Sequence, residues 1–78
     1  MRLDYKFTPD SVGTSIRVLR VKFGLTQTQL GEIVGVSKNT VSAWENGLYF
    51  PSISHILALG KAFNVDWLYF FREEENKE

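Results

Sequence analysis

Ten residues, Ser37-Lys38-Asn39-Thr40-Val41-Ser42-Ala43-Trp44-Glu45-Asn46, gather short polar side chains around one apolar position, Val41. On a helix turning about 100° per residue with Val41 inward, Asn39, Ala43 and Asn46 land on the far side. Ser42 and Thr40 flank that face, and Lys38 stands in the first turn, where a long side chain reaches past the helix end. A surface of this kind suits the base edges of duplex DNA. Asn pairs in bidentate fashion with adenine, Lys donates to guanine O6 and N7, and an Ala or Thr methyl meets the thymine methyl. Rotation alone leaves an ordinary solvated helix face equally open.

Other chemistry has little to work with. The chain has no cysteine and one histidine, His55, so a thiolate zinc site, a disulfide scaffold and a cysteine nucleophile are all excluded. No nucleophile, base and orienter assemble from what remains, and neither an enzyme nor a metal or cofactor is expected. His55 falls in the first turn of a helix and is expected at the surface. The N-terminal residues Met1 to Lys6 are too polar for a signal peptide. The apolar stretch from Ile53 to Phe71 is interrupted by Ser54, His55, Lys61, Asn64 and Asp66, which rules out a bilayer span. A cytoplasmic location is expected.

The formal net charge is zero, which argues at first against a polyanion partner. Position changes that. Residues 1–72 carry eight basic and five acidic residues, or +3, whereas Glu73 to Glu78 carry four acids and one base, or −3. A mildly basic body is followed by an acidic tail, of the kind that is usually a solvated terminus.

The elements that must position the polar face are helical. Seventy-eight residues make one domain, with glycines and prolines closing each segment. Val12, Ile16, Leu19 and Phe23 form the stripe of a first helix ended by Gly24. Thr26 caps a second helix, Gln27 to Val34, with Leu30, Ile33 and Val34 inward, and Gly35 stops it. Ser37 caps the third, Lys38 to Asn46. Pro51-Ser52 opens a fourth with Ile53, Ile56, Leu57 and Phe63 buried, and Asn64 or Asp66 caps a fifth through Trp67 to Phe71. The class is all-α. Residues 1–10 are expected as an arm, extended over residues 2 to 7, residues 11–71 as the helical domain, and residues 72–78 as the tail.

Two short helices joined through a glycine turn make a helix-turn-helix unit, here residues 27–46. The run from Gly24 to Pro51, G-L-T-Q-T-Q-L-G-E-I-V-G-V-S-K-N-T-V-S-A-W-E-N-G-L-Y-F-P, resembles the Cro/CI-type helix-turn-helix family of phage repressors and bacterial regulators, the XRE family. The flanking segments extend the resemblance over roughly residues 12 to 68. It implies a compact five-helix, lambda-repressor-like domain that binds a double-stranded DNA operator and regulates transcription. It also implies action as a homodimer on a palindrome with half-sites about 34 Å apart. The same fold serves as the DNA-binding antitoxin of toxin pairs and as the controller of restriction-modification genes, and both readings stay open.

By that resemblance, the positions of Lys38, Asn39 and Ala43 face bases, those of Gln27 and Asn46 face the DNA backbone, and Ser37 joins the phosphate set. Ser42 is expected with the base contacts and Thr40 with the backbone contacts, from their places beside the far face. Arg20 and Glu45 border the core stripe of their helices, Glu45 only about 40° from Val41. In the resembling repressors these positions form a structural ion pair. Trp44, about 60° from Val41, is expected half-buried, with its indole N–H reaching a phosphate. Tyr49 and Phe50 stand where family members often carry lysine or arginine.

Trp67 to Phe71 are five consecutive large apolar residues, more than one face of a helix hides. Trp67, Tyr69, Phe70 and Phe71 are therefore expected to meet a second copy or a protein partner, with a core that wraps the terminal helix as the alternative. Leu3, Tyr5 and Phe7 of the arm either pair as an exchanged strand or lie across the partner.

Overall fold

The computed structural model describes residues 8–71 as four α-helices and a closing 3-10 turn: α1 (Pro9–Lys22), α2 (Gln27–Val34), α3 (Lys38–Glu45), α4 (Ile53–Phe63) and the turn Trp67–Phe71. The described residues contain no strand. The expected arm residues 1–7 and tail residues 72–78 lie outside them. The arm's expected limit at residue 10 is two residues too long, because Thr8 caps α1 by accepting from the Ser11 N–H at 3.3 Å. Pro9 then takes the first helical position, where its missing N–H costs nothing.

Each later helix is started by a side chain the sequence announces. Thr26 and Gln29 form a reciprocal capping box, with Gln29 N donating to Thr26 Oγ1 at 3.0 Å and Thr26 N donating to Gln29 Oε1 at 2.9 Å. Ser37 Oγ accepts from Thr40 N at 3.2 Å, and Ser52 Oγ from His55 N at 3.3 Å. Gly35 ends α2 at φ 84°, a left-handed conformation that a β-carbon would strain, so the chain turns into Ser37 within two residues.

The core is built from Val12, Ile16 and Leu19 of α1, Leu30 of α2, Val41 and Trp44 of α3, and Ile56, Leu59 and Phe63 of α4, closed by Phe70 and Phe71. Four inward assignments differ from expectation. Ile33 is exposed, because it lies about 100° away from the centre of the Leu30–Gly31–Val34 stripe that α2 buries. On α4 the buried stripe is Ile56, Leu59, Gly60 and Phe63, which turns Ile53 and Leu57 outward. Phe23 follows α1 as its C-cap and is exposed, its ring edge-on to Phe63 with centroids 5.1 Å apart.

The expected fifth α-helix is a single 3-10 stretch. Asp66 Oδ1 accepts from Leu68 N at 3.1 Å, and Tyr69 N donates to Asp66 O at 2.8 Å, the i to i+3 pattern of that geometry. It packs against α1 and α4. Phe70 and Phe71 are thereby buried in their own chain's core, so the assignment of these two to a contact with a second copy is wrong: side chains already covered leave no area for a partner. Tyr69 is half-buried against the same core, and Trp67 is exposed.

α1 and α3 touch at Gly13. A β-carbon there would overlap the Trp44 carbonyl oxygen and stand 3.0 Å from that of Glu45. Both obstacles are backbone of the neighbouring helix and cannot rotate aside. Gly13→Ala gains about 0.5–1 kcal/mol of helix propensity, but forcing the helices apart costs about 1–3 kcal/mol. The expected outcome is a lower midpoint in urea unfolding; a raised midpoint would refute the tight α1–α3 contact.

Candidate nucleic-acid interface

α3 divides into two faces with different tasks. Inward lie Val41, Trp44 and Glu45, all buried. Outward, Lys38, Asn39 and Asn46 are exposed and Thr40, Ser42 and Ala43 half-buried, so the polar set expected around Val41 stands together on the surface. Asn46 Nδ2 donates to Ser42 Oγ at 3.3 Å, and Ser37 Oγ lies 3.2 Å from Thr40 Oγ1. These local bonds tie the side chains in pairs on the two flanks of the face, Ser37 with Thr40 and Ser42 with Asn46, while Asn39 and Ala43 stand between them.

Behind this face sits an ion pair that orders it. Arg20 of α1 meets Glu45 of α3 in a two-pronged arrangement, Nε donating to Oε2 at 2.6 Å and Nη2 to Oε1 at 3.1 Å. The Arg20 side chain is 15% exposed and that of Glu45 3%. Nη1 donates to the Leu25 carbonyl at 2.8 Å, which anchors the loop between α1 and α2. Hydrogen bonding from Glu45 raises the Arg20 pKa above its ordinary value, opposed by desolvation and reinforced by the Coulombic attraction of the same carboxylate. The guanidinium is therefore charged at every working pH. The positions flagged at the core border do meet.

Gln27 takes a place that rotation on its own helix does not reveal. Its Nε2 donates to Glu45 Oε1 at 3.1 Å, so the side chain expected at a DNA phosphate is a third partner of the buried carboxylate. What α2 then presents outward at its start is its backbone, with the positive end of the helix dipole. A glutamine at the first position of one short helix and a glutamate near the end of the next is a weak signal, legible only once the crossing of the two helices is known.

Trp44 corrects an expectation. Its indole is 2% exposed and lies against the His55 ring, with centroids 5.4 Å apart. A ring enclosed by α1, α3 and α4 does not extend to a phosphate. The extra inward rotation comes from α1 approaching closely at Gly13, which draws the whole Trp44–Glu45 edge of α3 inside. His55, expected at the surface, is half-buried, its Nδ1 3.0 Å from Ser52 Oγ. Among the described residues no cluster of His, Asp or Glu is placed to hold a metal ion, and no helix is long and apolar enough to cross a membrane.

The sequence pattern of the helix-turn-helix family HTH_3 matches residues 16–70, most of the chain and the whole of this architecture except the first turns of α1 and the final residue Phe71. The chain belongs to the HTH_3 helix-turn-helix family, of the XRE type. It is a DNA-binding transcriptional regulator of that type. One relative, the HTH-type transcriptional regulator YgzD of Bacillus subtilis, is 45% identical over 62 residues, covering 78% of this chain and 94% of the relative. Among solved structures, the P22 c2 repressor in complex with a synthetic operator superposes with a TM-score of 0.74 at 37% identity, over 77% of this chain and 91% of that one. The restriction-modification controller C.AhdI from Aeromonas hydrophila gives a TM-score of 0.75 at 28% identity, over 81% and 96%.

The geometry separates two kinds of charged residue, the paired Arg20 and the exposed Lys38, and paired substitutions tell them apart. Arg20→Met strands the Glu45 carboxylate and is expected to cost about 3–5 kcal/mol, lowering the melting temperature by more than about 10 °C in a domain of this size. Lys38→Met is expected to leave it within about 2 °C. An Arg20→Met protein that melts with the wild type would remove the structural role of the pair.

Proposed function

We propose that this regulator binds a palindromic operator as a homodimer and represses transcription by occluding the promoter, with α3 laid in the major groove. The observation that carries this reading is the division of α3, whose inner face is fixed by Val41, Trp44 and Glu45 while its outer face is mostly polar and exposed or half-exposed. Lys38, Asn39, Ser42 and Ala43 take the base edges. Ser37, Thr40 and Asn46, with the N-terminal backbone of α2 above Gln27, take the phosphates. The likeness to the P22 c2 repressor on its operator supports repression. The likeness to C.AhdI supports a second reading, control of restriction-modification genes, which uses the same surface.

A second copy needs a covered face elsewhere. Ile53 and Leu57, one turn apart on α4, are exposed together with Trp67. Lys61 and Asp66 border the shallow groove that Leu57 and Trp67 line. An apolar stripe flanked by one cation and one anion is self-complementary under a two-fold axis. This supports a dimer contact on the α4 side of Trp67 rather than on Phe70 and Phe71.

Selection of bound sequences from random duplexes tests the reading. The expected result is a palindromic consensus, and Asn39→Ala should relax preference at one base pair per half-site by about 1–3 kcal/mol. Unchanged selectivity in that variant would displace α3 as the reading element. With few cations on the face, and with Tyr49 and Phe50 exposed in the loop after α3, the log–log salt slope of binding should fall well short of about −10. A slope that steep would mean a phosphate footprint larger than this surface provides.

A further inference from the structure

The residue after Asn46 has to be glycine. Gly47 takes φ 73°, and a β-carbon on it would overlap the Asp10 side chain of α1. With this glycine the end of α3 closes as a Schellman turn, Gly47 N donating to Trp44 O at 3.1 Å and Leu48 N to Ala43 O at 3.0 Å. That requirement has a chemical consequence. A glycine leaves its own nitrogen unshielded beside the side-chain amide of Asn46, which is exposed on the outward face of α3. Asn39 and Asn64 are followed by Thr40 and Val65, whose branched β-carbons hinder the same approach.

We propose that Asn46 is a spontaneous deamidation site whose conversion ends operator binding by the molecule that carries it. The Gly47 nitrogen attacks Cγ of Asn46, the N–Cγ bond forms as the Cγ–Nδ2 bond breaks, and the Gly47 amide hydrogen leaves with Nδ2 as ammonia. Water then opens the five-membered imide at either carbonyl, leaving aspartate or isoaspartate at residue 46. The fold holds this reaction back. At the Asn46 ψ of 4° the Gly47 nitrogen nearly eclipses the Asn46 backbone nitrogen, away from Cγ, and Asn46 Nδ2 donates to Ser42 Oγ at 3.3 Å. Ring closure therefore waits for the last turn of α3 to open, an excursion of the kind that helix ends make well below the free energy of global unfolding. The product carboxylate stands at the negative end of the helix dipole, with no basic residue in the last turn of α3 and with Asp10 packed on the next residue. It meets a phosphate as a like charge. The loss of binding rests on α3 facing the operator, as proposed above, and the chemistry does not depend on it.

The test incubates the full chain in warm, mildly alkaline buffer, folded and unfolded in guanidinium chloride, and follows residue 46 by peptide mass mapping and an isoaspartate-specific methyltransferase. Conversion is expected at residue 46 and not at 39 or 64, slower in the folded protein than in the unfolded chain, with the operator-binding fraction falling in step. Asn46→Gln, whose longer side chain would have to close a six-membered ring, should keep its own initial binding over the same period. Asn46→Asp should bind at least about tenfold more weakly from the start. A folded protein that stays intact at residue 46 while the unfolded chain converts overturns the proposal, and so does an Asn46→Gln protein that loses binding as fast as wild type. Conversion at residue 46 in a wild type that selects no operator at all would instead overturn the reading of α3, and with it the functional half of the proposal alone.

Discussion

The Arg20–Glu45 pair is the constraint from which the rest of the arrangement follows. A planar guanidinium has one orientation that serves both carboxylate oxygens of Glu45 and the Leu25 carbonyl together. Gln27 adds a third donor to the same carboxylate from the start of α2. One acidic side chain of α3 is therefore held from α1 and α2 at once. Burying two charges yields little net stability, because desolvation offsets much of their attraction. What the pair supplies is geometry: with Gly13 allowing α1 to touch the backbone of α3 at Trp44 and Glu45, the rotation of α3 about its own axis is fixed.

That fixed rotation explains how a chain of zero net charge belongs to a family of DNA-binding regulators. A strongly cationic surface gathers affinity from phosphates regardless of sequence. This surface has Lys38 and a row of short polar groups instead, held by side-chain bonds among Ser37, Thr40, Ser42 and Asn46. Preorganised groups lose less rotational freedom on binding, and on the proposed reading their value depends on the angle at which α3 presents them. The ion pair sets that angle.

Much of this was legible in the sequence where the physics is local. Thr26, Ser37 and Ser52 stand as caps because a hydroxyl satisfies an N–H two or three residues away, whatever the rest of the chain does. The outward set on α3 followed from rotation about Val41. Legibility failed where two faces of one helix are apolar: α4 carries Ile53 and Leu57 on one side and Ile56 and Leu59 on the other, and periodicity does not say which side meets the core. It failed again for Trp44, Phe70 and Phe71, whose burial depends on how closely α1 approaches and on a terminal segment folding as a tight 3-10 turn. Gln27 was read as a phosphate contact, and its bond to Glu45 was not legible because the two residues lie on different helices.

The two-faced build of α3 also bears on how such a chain can change over generations. Residues that hold the fold, Val41, Trp44 and Glu45, and residues that stand outward, Lys38, Asn39 and Ala43, interleave along eight positions without sharing side-chain contacts in the core. Substitutions at well-separated, independent sites add rather than interfere. A descendant can therefore exchange its outward letters one by one and inherit the same scaffold intact, so that new specificities arise by drift on a surface the core does not police.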